Sequence, residues 1–191
     1  PTSGQSPYAA SKIAAEQLAL SYEKSFDLPV TVLRPFNTFG PRQSVRAIIP
    51  TIITQAIKGS IINVGSTFPT RDFLYVHDTV SGFIKTINSK KAIGEIINLG
   101  TGYEISIKIL IKTISKILER KITIKEKKER KRPERSEVQR LLASNTKAKK
   151  ILNWEPSFRG KTGLIKALTE TANWYKIEKN LKHFKTENFT D

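Results

Sequence analysis

The sequence predicts an α/β fold: the C-terminal part of a doubly wound parallel sheet, followed by a small α/β domain. Three observations carry this expectation. A helical pattern over residues 6–26 leads into Val-Thr-Val-Leu at 30–33, a β-branched run of the kind buried on both faces of a parallel sheet. Helix and strand patterns then alternate along the chain, the signature of βα repeats. Hydrophobic residues make up 38% of the 191, enough for a packed core, and no apolar run approaches the roughly 18–20 residues of a membrane span.

In the first helix Tyr8, Ile13, Leu18, Leu20 and Tyr22 recur among Ala, Lys, Glu and Gln, and Ser6-Pro7 supplies an N-cap and a first-turn proline. Leu28-Pro29 ends that helix before the strand. After Arg34 the texture is that of loops, with Pro35, Asn37, Gly40 and Pro41. Residues 48–58 then read as a helix, 61–64 and 73–76 as short strands, 78–88 as a helix, and 95–99 as a strand ending at Gly100. Ser106 caps a helix running to about residue 118, in which Ile107, Leu110, Ile111, Ile114 and Leu118 form one apolar face. Ile122 and Ile124 alternate with polar residues as a strand that enters a basic loop. Helices over 146–152 and about 162–177 close the chain. There is no internal repeat and no Gly/Ser-rich linker. The pattern is the end of a Rossmann-type domain followed by a small α/β cap.

The formal net charge is +16, from 33 Lys and Arg against 17 Asp and Glu. The basic residues concentrate between 120 and 135: Arg120, Lys121, Lys125, Lys127, Lys128, Arg130, Lys131, Arg132 and Arg135, against three acidic side chains. Three readings stand: a solvated loop in a lysine-rich chain, recognition of substrate phosphate by a few of these residues, or a basic nucleic-acid-binding module. The last predicts aromatic side chains interleaved in the loop for base stacking, and there are none. The absence of cysteine excludes disulfides and thiolate metal sites and fits a cytoplasmic protein. Neither His77 nor His183 has metal-ligand spacing around it, so no metal is expected. The chain begins at Pro1 with nothing resembling a signal peptide, and reads as cut from a longer protein.

Tyr8 and Lys12 stand four apart and so share one helix face. A tyrosine with a pKa near 10 is a poor base at pH 7, but an ammonium about 4–6 Å away favours the phenolate. Such a pair can take a hydroxyl proton. The bare spacing is common, and a surface tyrosine above a lysine is the plainer reading. Gly-Thr-Gly at 100–102 imitates a dinucleotide loop, but it lacks the third glycine and reads as a turn.

The context of the pair is more specific. Ser-Pro-Tyr-Ala-Ala-Ser-Lys at 6–12 is followed by Leu-Arg-Pro-Phe-Asn-Thr-Phe-Gly-Pro-Arg at 33–42, Arg-Asp-Phe-Leu-Tyr-Val-His-Asp at 71–78 and Ile-Asn-Leu-Gly-Thr-Gly at 97–102. In this order and spacing the motifs resemble the extended short-chain dehydrogenase/reductase family, and within it the NAD-dependent nucleotide-sugar 4,6-dehydratases and 4-epimerases. The run from 34 to 44, with Arg-Pro-Glu-Arg-Ser-Glu at 132–137, is most similar to dehydratases acting on nucleotide-linked N-acetylglucosamine. The resemblance implies Tyr8 as base and Lys12 as its partner, both also touching the NAD ribose and nicotinamide, with Pro35 and Phe36 beside the nicotinamide. It implies Asn37, Arg46, Arg71 and Arg132 as substrate-binding residues, with Arg71 and Arg132 clamping the diphosphate, and it implies a homodimer. It places the end of the NAD-binding domain at 1–45 and the substrate-binding cap at 46–191, with about 61–88 returning to the first domain. The glycine-rich pyrophosphate loop and the acidic residues of dehydration are expected upstream of Pro1. Without them mechanism does not separate dehydration from epimerisation; the motif resemblance alone favours 4,6-dehydration, with 4-epimerisation as its alternative.

Overall fold

The computed structural model describes residues 4–131 and 133–182. Helix α1 (Pro7–Phe26) starts where expected: the Ser6 hydroxyl accepts from the Ala9 amide at 3.1 Å and Pro7 opens the first turn. It ends at Asp27, whose φ of 52° is left-handed. Strand β1 (Val32–Pro35) pairs in parallel with β5 (Ile96–Leu99), Val32 opposite Ile96 and Pro35 opposite Leu99. A second sheet is built on β4 (Thr70–Tyr75), which runs parallel to β2 (Asn37–Phe39) and β8 (Arg140–Leu141) and antiparallel to β6 (Glu104–Ser106). A third pair, also parallel, joins β3 (Ile61–Val64) to β7 (Thr123–Glu126). Helices α2 (Ile48–Lys58), α3 (Val76–Ile87), α4 (Ile107–Ile117), α5 (Thr146–Leu152), α6 (Gly160–Lys176) and α7 (Glu178–Lys182) complete the chain. Among the described residues no helix is long and apolar enough to cross a membrane.

Two hydrophobic cores result, and β4 lies between them. Successive side chains of a strand point to opposite faces. Phe73 and Tyr75 join the larger core with α2, α4 and α6, whereas Leu74 joins the smaller one with β5, α5 and Trp154. Asp78, buried at the start of α3, accepts from the Ser157 and Phe158 amides at 2.8 and 3.0 Å and so ties the approach to α6 onto this junction. Tyr75 and Tyr175 are buried, and burial first of all pushes both hydroxyls up to about 12; Tyr75 also donates to Glu170.

The expected helices at 48–58 and 146–152 and the strand at 61–64 have these bounds in the structure, and Ser106 caps α4 by accepting from Ile109. The stretch after Arg34 differs from the loop expected there: it contains β2. Three residues carry no readable periodicity, and this strand exists because Asn37–Phe39 meet Phe73–Tyr75. The same holds for β6 and β8, which are set by pairing with β4. Strand β4 itself begins at Thr70, three residues earlier than the apolar run suggests, because the ladder with β6 and β8 extends over Thr70 and Arg71.

Candidate active site

Helix α1 runs antiparallel to β1. Glu23 lies 3.4 Å from where a Cβ on Gly94 would sit, and Gly94 precedes β5 and donates to the Val30 carbonyl at the opening of the sheet. About two turns back along α1, Glu16 meets Arg34, the penultimate residue of β1. Continuing in that direction, Tyr8 and Lys12 lie off the carboxyl ends of the parallel strands, where open α/β sheets bind their ligands. The Lys12 ammonium stands 5.5 Å from the centre of the Tyr8 ring. Tyr8 is 72% exposed, so the hydroxyl is open to an incoming group. Pro35 ends β1, and the Phe36 amide donates to the Leu99 carbonyl at 2.8 Å, which fixes the segment between this helix and β2.

A cleft of about 570 Å³ opens beyond β2, in the size range of small-molecule sites. Its walls are β2, β4, the start of α2, the turn at 65–66 and a strap beyond β7 that contributes Glu129, Arg130 and Glu137. The structure brings Asn37, Arg46 and Arg71 together here. Arg71 and Phe73 share the cleft-facing side of β4. The Asn37 side-chain amide donates to the Asp72 carbonyl at 3.3 Å. Arg71 donates to its neighbour's carbonyl, Thr70, at 2.8 Å and to Glu137 at 2.9 Å, and both ends of that ion pair are 14% exposed. Arg46 is exposed at the rim. Tyr8, Lys12, Pro35 and Phe36 do not line this cleft; they belong to the adjoining end of the β1–β5 sheet. Arg132 and His183 lie outside the described residues.

Sequence reasoning missed three contributors. Glu137 and Arg130 line the cleft, Arg130 donating to the Asn63 carbonyl at 3.0 Å. Gln43 also lines it, with its amide nitrogen given to the Thr38 carbonyl at 2.7 Å and its buried Oε1 without a donor. Glu137 and Arg130 were in view within the charged run, but nothing in a run of charges says which members face inward. The walls thus carry three guanidiniums against two carboxylates, Glu129 and Glu137. The strap's position is set by close approach: a Cβ on Gly65 would come within 2.3 Å of the Arg130 carbonyl oxygen. At its base Lys131 and the Thr67 hydroxyl, in that order, hold the Glu126 carboxyl below the usual carboxylate range.

The Gly-Thr-Gly turn is not a phosphate loop. Its amides are already taken: Gly100 donates to Asn145 Oδ1 at 3.0 Å, and Thr101 and Gly102 donate to Asp72, fully buried on the face of β4 opposite Arg71. The Asp72 carboxylate accepts from the Thr101 and Gly102 amides at 2.9 Å, from the Thr101 hydroxyl at 2.6 Å and from the Ala143 amide at 3.3 Å. A buried carboxylate needs such donors, and here they satisfy it without a cation.

Off the ends of the parallel strands stand an exposed tyrosine and its lysine, beside a cleft lined with guanidinium groups; together they define a Rossmann-type protein of the short-chain dehydrogenase/reductase kind. The chain belongs to the family whose model is described as GDP-mannose 4,6 dehydratase, which matches residues 1–167. It is 38% identical over 173 residues to UDP-glucuronate 4-epimerase from Thermodesulfobacterium geofontis, covering 90% of this chain and 50% of that protein. It is 32% identical over 192 residues to dTDP-D-glucose 4,6-dehydratase from Homo sapiens, covering 96% of this chain and 54% of the relative. The fold superimposes on UDP-glucuronic acid 4-epimerase from Bacillus cereus, solved in complex with UDP-glucuronic acid and NAD, with a TM-score of 0.81, 29% identity and 90% and 53% coverage of the two chains. The chain spans about half the length of the curated relatives it matches.

Proposed function

We propose that this chain forms part of an NAD-dependent enzyme that oxidises a nucleotide-activated sugar at C4, removes water across C5 and C6 and returns the hydride at C6, giving a 4-keto-6-deoxy sugar. The observation that carries the proposal is the Tyr8–Lys12 pair off the carboxyl ends of the strands, next to a cleft that presents Arg71, Arg46 and Asn37. The exposed face of α1 and the neighbouring Pro35 and Phe36 suit a flat nicotinamide ring and its ribose, which Lys12 can hold through hydrogen bonds. When bound, the cofactor supplies a reversible hydride acceptor. Tyr8 takes the proton of the sugar's 4-hydroxyl, and Lys12 stabilises the resulting phenolate. Asn37 orients the sugar or its first phosphate. Arg71 offers its fork to diphosphate oxygens, with Arg132 as the second arm of the clamp and Arg46 beside the base. Residues 1–45 form the end of the cofactor-binding domain in this reading and 46–191 the substrate cap, with segments of about 61–88 returning; the membership of Leu74 in the smaller core supports that return, while Ile62 and Val64 side with the cap. Two copies pairing through α1 would cover its exposed Leu18, Tyr22 and Phe26. The cytoplasm, where nucleotide sugars are made, suits this chemistry.

The second reading is 4-epimerisation, favoured by the identity to UDP-glucuronate 4-epimerase. Here Tyr8 and Lys12 do the same work, and the keto sugar turns over before C4 is reduced from its other face. Product analysis separates the two: a 4-keto-6-deoxy sugar for dehydration, an inverted C4 for epimerisation. In the full-length protein, Tyr8→Phe lowers kcat by two to three orders of magnitude, as loss of a general base typically does, and changes nucleotide-sugar affinity little. A variant retaining more than about a third of wild-type kcat removes Tyr8 from the mechanism.

A further inference from the structure

Helix α1 carries the proposed proton-transfer pair, yet none of its residues is buried. Half-buried Ile13 and Leu20 lie along its inner face, and its hydrogen-bonded link to β1 is an ion pair. Arg34 Nε donates to Glu16 Oε1 at 2.8 Å, and Nη2 donates to Glu16 Oε2, a two-point fork. Hydrogen bonding by Glu16 first of all raises the Arg34 pKa above its ordinary value, so the guanidinium stays charged. Planar guanidinium meeting carboxylate at two points fixes direction as well as distance. The Arg34 side chain is one-third exposed and reaches outward to the helix.

The placement of this fork gives it two consequences. Arg34 immediately precedes Pro35, and β1 is locked in register to β5. The fork therefore sets where α1, with Tyr8 and Lys12, sits over the end of the sheet. Glu16 is also one helical turn beyond Lys12, within reach of its ammonium as an i,i+4 partner. While Arg34 occupies Glu16, that carboxylate does not compete with Tyr8 for Lys12.

We infer that Glu16 and Arg34 are positioning residues for Tyr8 and Lys12: the pair docks the helix on β1 and keeps the Lys12 ammonium assigned to Tyr8. The inference rests on the proposed roles of Tyr8 and Lys12. It departs from a plain stability role by making the two halves of the pair unequal. Removing Arg34 both loosens the helix and leaves Glu16 free to draw Lys12 away, whereas removing Glu16 only loosens the helix.

Two measurements test it. In the full-length protein, Arg34→Met lowers kcat roughly 10- to 100-fold, the range a small misplacement of reacting groups produces. The nucleotide-sugar KM stays within about threefold, because Arg71 and Arg46 stand on other elements. Adding Glu16→Gln to Arg34→Met recovers several-fold in kcat, and the exchanged pair, Glu16→Arg with Arg34→Glu, recovers more. Silence of Arg34→Met, a change in KM alone, or a further loss on adding Glu16→Gln overturns the inference. Independently of turnover, hydrogen exchange on the full-length protein follows the tether. Arg34→Met speeds exchange of α1 amides relative to α2 and α4, and the exchanged pair slows it again; unchanged α1 exchange, or no slowing by the exchanged pair, overturns the docking role. If the wild-type full-length protein turns over no nucleotide sugar, the functional reading fails, and the exchange measurement still decides whether the pair holds the helix.

Discussion

Arg71 meets the cleft with its charge already balanced by Glu137. An incoming diphosphate therefore adds to, or exchanges with, an existing partner, and does not meet a bare cation. Charge-assisted hydrogen bonds to phosphate are worth roughly 1.5–3 kcal/mol each, so Arg71→Ala raises the Kd for uridine diphosphate about 10- to 100-fold by calorimetry. Replacing Lys127, Lys128 and Lys131 together by Ala does far less at about 0.15 M salt, because solvated charges are screened beyond about 8 Å. A lysine triple variant that loses more affinity than Arg71→Ala refutes the assignment of the clamp. At this scale the sequence was partly legible. Arg71 and Asn37 stand in motifs whose order pointed to a cleft, and the structure brings them together. Glu137 and Gln43 were not legible as partners, since each is selected by a contact across 66 and 5 residues, respectively, that no local spacing encodes.

Elements with their own signal could be read: the capped helix α1, the one-faced helix α4 and the β-branched run before β1. Elements defined by a neighbour could not. Strands β2, β6 and β8 are two or three residues long, and each is a strand because β4 offers it a hydrogen-bonding edge. The strap that carries Glu129, Arg130 and Glu137 comes from a charged run with no readable periodicity, yet the approach of Arg130 is limited by the glycine beneath it. Gly65→Ala forces the Arg130 carbonyl away from a contact at 2.3 Å, and overpacking against backbone costs about 1–3 kcal/mol. The expected outcome is a lower Tm and weaker uridine diphosphate binding together, read by calorimetry. Gly59→Ala is the control, because a Cβ there meets nothing within 4 Å. Equal behaviour of the two variants would mean that the strap yields without consequence.

For the whole molecule, the net charge of +16 was the most visible feature of the sequence and says least about the fold, since charge governs association more than architecture. The cores were foreshadowed by apolar faces such as that of α4; their division into two was not, because it depends on which face of β4 each residue takes. Exposed apolar residues on α1 have the character of an interface. For the dimer proposed above, Leu18→Glu is expected to give a monomer in sedimentation equilibrium where the unaltered full-length protein gives a dimer, without loss of helical circular dichroism; an unchanged mass removes α1 as the contact. The alternation along β4 has a consequence for change over time. Arg71 lines the cleft and Asp72 is bonded into the Gly-Thr-Gly turn, one residue apart and on opposite faces. Inserting or deleting a single residue at this point would exchange their environments, turning a carboxylate toward the cleft and sending a guanidinium into a nest of amide donors. Longer surface loops leave both environments alone, whereas any change in the length of β4 alters both of its sides at once.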